Sequence, residues 1–319
     1  IYNMSAPKFG PNDVLVQSDA FSLNYLDLLV AKGMFNNPIP HIIGSDVSGT
    51  VLEVGSQVKG FKKGDKVVSH YTQSWQDGSL SKSDLTTRLG VETMGVFSDY
   101  VILPESSWVS MPQNLSVEEA STLPIAALTA WEAMINLSGI KPGETIYLQG
   151  TGGVSIFALQ FAKAMGCKTI ITSSNEDKIE KLKELGANYT INYSKENVAD
   201  RVNTITDGQG VQVALDVAGS SLGQTMEVMG FKGRVVSVGF LGGVSTVVNA
   251  TSIIQKNLQI RGVQVGSRSS FQEMNQFISE KGIKPVIDKT FDFKDYKKAL
   301  ERLQKGEHIG KIVLNNDWS

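Results

Sequence analysis

The chain has 319 residues, 41% of them hydrophobic and 19% charged, which supplies enough apolar surface for two buried cores and excludes a disordered chain. Thirty Lys and Arg against 32 Asp and Glu leave a net charge of −2, so no global basic field exists to hold nucleic acid or an anionic membrane surface. One cysteine, Cys167, and three histidines, His41, His70 and His308, exclude a disulfide within the chain and leave almost nothing for a tetrahedral zinc site.

Short β-type runs at 14–16, 49–54, 66–68 and 100–103, broken by turns such as Lys63-Gly64-Asp65, predict a β-rich first part ending near Pro112. The capping box Ser116-Val117-Glu118-Glu119 then opens an apolar helical pattern over 120–137. Beyond it the pattern alternates: strand 145–148, helix 153–165, strand 169–172, helix 177–185 closed by Gly186, then apolar strands 211–216 and 233–238. Such alternation implies parallel pairing with right-handed crossovers and helices on both sheet faces. A short apolar stretch follows Ile260, then helices over 270–281 and 293–305 and a last strand over 311–314. No apolar run reaches the roughly 18 residues of a membrane span and no signal-peptide pattern opens the chain, so a soluble, cytoplasmic protein is expected.

Gly150-Thr151-Gly152-Gly153-Val154-Ser155 lies directly after one predicted strand and opens a predicted helix. A dinucleotide pyrophosphate needs a tight turn, a backbone without Cβ to approach, and a helix N-terminus whose free N–H groups face the anion. Gly150 and Gly152 meet the first two needs, and Ser155 stands at the third glycine position. An NAD site places an acidic residue about 20 residues on, at the end of the second strand. This chain has Thr172-Ser173-Ser174-Asn175, with Lys178 after it. Without a carboxylate a 2′-phosphate is not repelled, Ser173 and Ser174 can donate to it and Lys178 can neutralise it, so NADP(H) is the expected cofactor. The alternative is that these residues only begin a helix.

Asn24-Tyr25-Leu26-Asp27, Gly44-Ser45-Asp46-Val47-Ser48-Gly49, Gly64-Asp65-Lys66-Val67, Leu123-Pro124, the Gly150 loop, Leu185-Gly186-Ala187, Ile191-Asn192-Tyr193 and Gly310-Lys311-Ile312-Val313 together resemble the medium-chain dehydrogenase/reductase superfamily. The nearest likeness is to its zinc-free quinone oxidoreductase and zinc-type alcohol dehydrogenase-like branches. The resemblance implies an α/β chain in which a Rossmann doubly wound parallel sheet domain (123–260) is inserted into a GroES-like β-rich catalytic domain (1–122 and 261–319). It also implies that Ser174, Lys178 and Tyr193 hold the adenosine 2′-phosphate. Thr129, the loop at Gly239-Phe240 and the segment from Val263 to Val265 would contact the nicotinamide end. A homodimer through the sheet edge near 242–249 is expected from the same source.

Zinc-dependent members carry ligands at the positions of Asn24, Ser45 and Ile125, beside an acid at Asp46. All three ligand positions are replaced, so no metal is expected. His41 and His70 have no metal-ligand spacing, His308 reads as a surface turn residue, and Cys167 as an inert thiol. Asp46, if buried without a metal, needs a Lys or Arg partner or a raised pKa. By family position the substrate cleft, between the domains, would be lined by Asn24, Tyr25, Leu29, Phe35, Ser45, Tyr71 and Ile125. Asn24 and Ser45 would be hydrogen-bond donors and Tyr71 a donor or proton relay, with packing the alternative for Tyr71 and Phe35. Leu29 and Phe35 stand where some quinone oxidoreductases carry tyrosines. The expected activity is metal-free hydride transfer from NADPH to a small molecule: a quinone, an α,β-unsaturated carbonyl or a reactive aldehyde. The competing readings are a non-catalytic NADPH-binding sensor or crystallin-like protein, and an alcohol dehydrogenase.

Overall fold

The computed structural model describes residues 8–316 and divides into two compact units. One runs to Ile125 and resumes at Ser267; the other spans Ala126–Gly266. In the first stretch of chain lie β1 (Asp13–Ser22), α1 (Tyr25–Ala31), β2 (Asp46–Val54), β3 (Lys66–Ser69), β4 (Tyr100–Pro104), β5 (Trp108–Ser110) and α2 (Val117–Ser121). The second unit holds α3 (Leu128–Trp131), β6 (Thr145–Gln149), α4 (Gly153–Ala164), β7 (Lys168–Ser173), α5 (Glu176–Glu184) and β8 (Tyr189–Asn192). It continues with α6 (Val198–Ile205), β9 (Val211–Asp216), α7 (Leu222–Glu227), β10 (Met229–Ser237), α8 (Ala250–Lys256) and β11 (Gln259–Gly262). The chain then returns to the first unit as α9 (Arg268–Lys281), β12 (Ile287–Asp292), α10 (Tyr296–Lys305) and β13 (Lys311–Asn315).

The first unit is a seven-stranded sheet in the order β12-β13-β1-β2-β3-β5, with β4 also paired to β1. Strict alternation along β1 points Val14 and Val16 into the core, where Phe21 and Trp108 are also fully buried. β13 pairs antiparallel with β1, Ala20 facing Asn315, so residues about 290 apart in sequence become neighbours in one sheet.

The second unit is a six-stranded parallel sheet in the order β11-β10-β9-β6-β7-β8. The order reverses between β6 and β9, which is the switch point where doubly wound sheets open a crevice at their carboxyl ends. Tyr147, Ile170, Ile191, Val211, Ala214 and Val235 share one buried cluster, which accounts for the near-continuous apolar runs of these strands. The helix expected over 120–137 is present, but π-helical turns at Leu123–Ala127 and Glu132–Leu137 flank α3. Pro124 lies in the first of these turns; lacking an N–H and crowding the preceding turn, it favours a widened path that a 3.6-residue pattern does not reveal. β11 is exposed along its whole length and shows no alternation, so its strand character is set by pairing with β10 alone.

Candidate active site and cofactor cradle

In the second unit the turn after β6 has the shape the glycines imply. Gly150 adopts φ +69°, in the left-handed region, and its N–H donates to Thr172 O at 2.9 Å. A Cβ at Gly150 or Gly152 would meet no heavy atom within 4 Å, so the loop faces open space and its backbone is free to meet a ligand. Gly152 is the N-cap of α4, whose first N–H groups point toward the loop. Ser155 Oγ donates to Gln149 O at 2.6 Å, spending its hydroxyl on the end of β6; that is how a serine replaces the third glycine without spoiling close helix-to-strand packing.

The end of β7 carries no carboxylate. Ser173 is buried and its Oγ accepts from Asn175 N at 3.2 Å, Ser174 is exposed, and Asn175 caps α5 by accepting from Lys178 N at 3.0 Å. Lys178 Nζ reaches across to Thr151 Oγ1 at 3.2 Å, which brings the one cation of this stretch onto the phosphate loop. Glu176 is a nearby negative charge, but Lys195 pairs with it at 2.8 Å and Asn192 Nδ2 donates to it at 2.5 Å, which neutralises it. Tyr193 follows β8 directly, its N–H bonded to Ser173 O at 3.1 Å and its side chain half exposed. Gly239 and Phe240 follow β10, and Val263 and Val265 follow β11. Because the sheet is all parallel, these residues and the Gly150 loop gather at the carboxyl ends of the strands. Val265 is buried at φ +48°, a backbone state that costs a β-branched residue strain and that clusters at ligand sites. Thr129 is buried on α3. Sequence reasoning missed Asp216 at the end of β9. It accepts from Gly219 N, Ser221 Oγ and Thr225 Oγ1, and Gln149 bonds both Val217 N and Thr225, tying the neighbouring loop to the end of β6.

In the first unit Asn24 and Ser45 meet in a fully packed polar cluster with Asp27, Asp46 and Lys311. Gly44 takes φ +93° with a Cβ site only 2.1 Å from the Phe97 ring, so only glycine can precede Ser45 there. Ser69 Oγ donates to Ser45 O at 2.9 Å and accepts from Val47 N at 3.1 Å, fixing the start of β2. Lys311 Nζ, on β13, donates to Leu23 O at 2.8 Å and Asn24 Oδ1 at 2.6 Å and lies 3.4 Å from Asp46 Oδ2, so all three ammonium protons have acceptors. That contact orients the Asn24 amide: its oxygen faces the ammonium and its Nδ2 faces Ser45 Oγ at 3.4 Å. Asp27 Oδ2 accepts from Asn24 N at 2.7 Å and Oδ1 lies 3.3 Å from Ser45 Oγ.

Burial dominates the titration of these groups. Desolvation, with Asp46 as a second negative charge, pushes Asp27 up to about 7. Desolvation pushes Asp46 up to about 6, held back by the Lys311 ammonium and by hydrogen bonds from Asn24 and the Ile125 backbone, and burial draws Lys311 down. Asp46 thus has both the basic partner and the raised pKa that the sequence offered as alternatives. Tyr71 is buried and its phenol is pushed up by desolvation, so it stays protonated. Leu29 is core, whereas Tyr25 and Phe35 are each more than a third exposed. Ile125 enters through its backbone N–H on Asp46.

At the three positions where zinc-dependent members of the resembled superfamily hold their metal, the chain offers an amide, a hydroxyl and a hydrocarbon. The Asn24 amide oxygen already accepts from an ammonium, whose fixed positive charge opposes a second cation. Among the described residues no three His, Cys, Asp or Glu side chains lie together as a metal site; His41 Nε2 bonds Gly90 O at 3.1 Å and His70 is buried. These residues do not fit a catalytic zinc. Cys167 is buried and desolvation pushes its thiol up, which keeps it unreactive.

Residues 10–113 match the family described as alcohol dehydrogenase GroES-like domain, and residues 153–280 match the zinc-binding dehydrogenase family. A zinc-type alcohol dehydrogenase-like protein of Schizosaccharomyces pombe is 41% identical over 97% of this chain and 92% of its own. An NAD-dependent alcohol dehydrogenase of Sulfolobus acidocaldarius is 30% identical over 98% and 94%. The Escherichia coli quinone oxidoreductase, solved in complex with NADPH, superimposes with a TM-score of 0.84 at 25% identity, covering 98% of this chain and 94% of that one.

Proposed function

We propose that this chain, which belongs to the medium-chain dehydrogenase/reductase superfamily of oxidoreductases, is a zinc-independent, NADPH-dependent reductase. Its acceptor is a quinone, an α,β-unsaturated carbonyl or a reactive aldehyde. The observation that carries the reading is the replacement of the metal-ligand set by Asn24, Ser45 and Ile125 around a buried ammonium. A site with only hydrogen-bond donors suits an acceptor that spreads its new negative charge over an enolate or phenolate, where modest donors suffice. The Gly150-Thr151-Gly152-Gly153-Val154 turn and the α4 N-terminus would hold the pyrophosphate, and Ser173, Ser174, Lys178 and Tyr193 the 2′-phosphate. Thr129, Gly239, Phe240, Val263 and Val265 would border the nicotinamide. Bound NADPH supplies hydride; the chain supplies position, donors and exclusion of water. Ser45 would donate toward the substrate oxygen; the Asn24 amide, expected to do the same, has its hydrogens on Ser45 Oγ and Asp46 and so would orient Ser45 instead, with Tyr71 a neutral phenol near the same carboxylates.

The test is NADPH oxidation against a panel of quinones, enones and aldehydes, with NADH and simple alcohols as parallel arms and metal content measured on the same sample. Turnover of activated acceptors that survives chelation is expected. NADPH binding with silence across the panel would mean a non-catalytic binder, and stoichiometric zinc or alcohol oxidation would return the chain to the zinc alcohol dehydrogenases.

We also propose a homodimer through the free edge of the parallel sheet. β11 has a partner on one side only, and Val244 and Val247, in the loop between β10 and α8, are 87% and 90% exposed. Val247→Asp is expected to halve the mass measured by sedimentation while leaving the circular dichroism unchanged; a wild-type monomer would refute the pairing.

A further inference from the structure

Resting on the reductase reading, we propose that Asp27 is the proton store of the site and that it protonates the reduced substrate through Ser45 Oγ. The geometry fixes where its proton must sit. Asp27 Oδ2 already accepts from Asn24 N at 2.7 Å, so a protonated Asp27 carries its hydrogen on Oδ1, whose neighbour is Ser45 Oγ at 3.3 Å. Asn24 Nδ2 also points a hydrogen at Ser45 Oγ, at 3.4 Å, because its oxygen is committed to Lys311. A serine hydroxyl has two lone pairs and one hydrogen. Ser45 Oγ donates to Asp27 Oδ1 when that carboxyl is ionised; when Asp27 holds the proton, both Ser45 lone pairs receive, from Asp27 and Asn24, and the Ser45 hydrogen is released to a third partner. Ser45 is fully buried and Asn24 is 8% exposed, so the substrate oxygen would have to enter past the Asn24 amide.

The step balances. Hydride arriving from NADPH forms the new C–H bond at the electrophilic carbon, and the displaced π pair moves to the substrate oxygen. That oxygen takes the Ser45 proton, Ser45 takes the Asp27 proton, NADP+ is the oxidised product, and the Asp27 carboxylate recovers a proton from water before the next turnover. The charged groups acting on Asp27 are Asp46 of β2 and Lys311 of β13; α10, which packs on α1, adds none. Tyr71 near it is neutral, with Arg88 and Glu92 acting on Tyr71. One cation against two buried carboxylates leaves the cluster neutral only with one proton held, and the carboxyl not paired with Lys311 is the one to hold it.

The experiment compares wild type, Asp27→Asn and Ser45→Ala, with NADPH and either menadione or methyl vinyl ketone. In wild type kcat should fall about tenfold per pH unit above the Asp27 titration. Asp27→Asn should flatten that limb at a low plateau, Ser45→Ala should remove the same limb, and the double variant should be no slower than Ser45→Ala alone. Independently of turnover, the infrared difference spectrum of wild type minus Asp27→Asn at pH 6 should show the carbonyl stretch of a buried protonated carboxyl, any band left in Asp27→Asn belonging to Asp46. A pH limb that persists in Asp27→Asn, or no such band in the difference spectrum, overturns the proposal. If both acceptors are inert while NADPH binds, the reductase reading fails and the relay with it, and the infrared band still reports whether Asp27 holds a proton. Should Asp27→Asn fail to fold, Ser45→Ala carries the kinetic arm.

Discussion

Replacing Lys311 by alanine is expected to destabilise the first unit by about 3–5 kcal/mol, read as a lower urea midpoint with an unchanged slope. The ammonium is 4% exposed and bonds a carbonyl, an amide and a carboxylate, so its removal leaves Asp46 ionised in the interior with no opposing charge. The sign with pH follows from linkage. A carboxyl whose folded pKa lies above its unfolded value contributes stability below the unfolded value and loses it as pH rises through the folded one. Asp46 and Asp27 already stand at about 6 and about 7, and losing the cation raises both further. The defect should therefore be small at pH 5 and large at pH 8, and Asp46→Asn in the Lys311→Ala background should recover part of it. An equal loss at both pH values would assign the effect to lost packing instead of charge.

Ser174→Asp is expected to reverse the cofactor preference, lowering kcat/KM for NADPH on the order of 100-fold while leaving NADH equal or better. Ser174 sits at the exposed end of β7, where an NAD site has its acid; a carboxylate there would accept from ribose hydroxyls and repel a 2′-phosphate. Because the position is exposed, salt screens the repulsion, and the NADPH penalty should shrink between low and high ionic strength. Lys178→Ala should cost NADPH about tenfold and NADH nothing. Equal effects of either substitution on both cofactors would remove the 2′-phosphate assignment. These kinetics require only an acceptor that turns over, and fluorescence titration of the two nucleotides gives the same comparison at equilibrium.

The sequence made the cradle legible because its signals are local. A strand, a glycine turn and a capped helix follow one another within 20 residues, and each reports its own backbone state. The parallel sheet was legible for a related reason: strands covered on both faces read as unbroken apolar runs. What escaped was set by pairing or by distance along the chain. β8 and β11 are four residues long; β8 buries only its second half, and β11 is exposed throughout with no alternation. Asn24 and Ser45 could be singled out only through the family they resemble. The need of Asp46 for a basic partner followed from charge and burial, but no spacing rule could choose Lys311, since 265 residues separate it from Asp46. Asp27 stood in the sequence only as the last residue of the Asn24-Tyr25-Leu26-Asp27 motif; in the structure it lies in the first turn of α1, a position that favours negative charge. Only its burial against Ser45 gives it another part.

The insertion of the parallel-sheet unit between β5 and β13 has a consequence for biosynthesis. On the ribosome the second unit is complete some fifty residues before β13 emerges, so it can collapse while the first sheet still lacks the strand beside β1. Until then Asp46 lacks Lys311, and the half-made sheet leaves the end of β1 over Ala20–Ser22 unpaired on its β13 side, the start of β1 being already paired with β4. Nascent chains stalled after Gly266 should therefore hold nucleotide without presenting a finished reaction centre, and chaperones should engage them at β1.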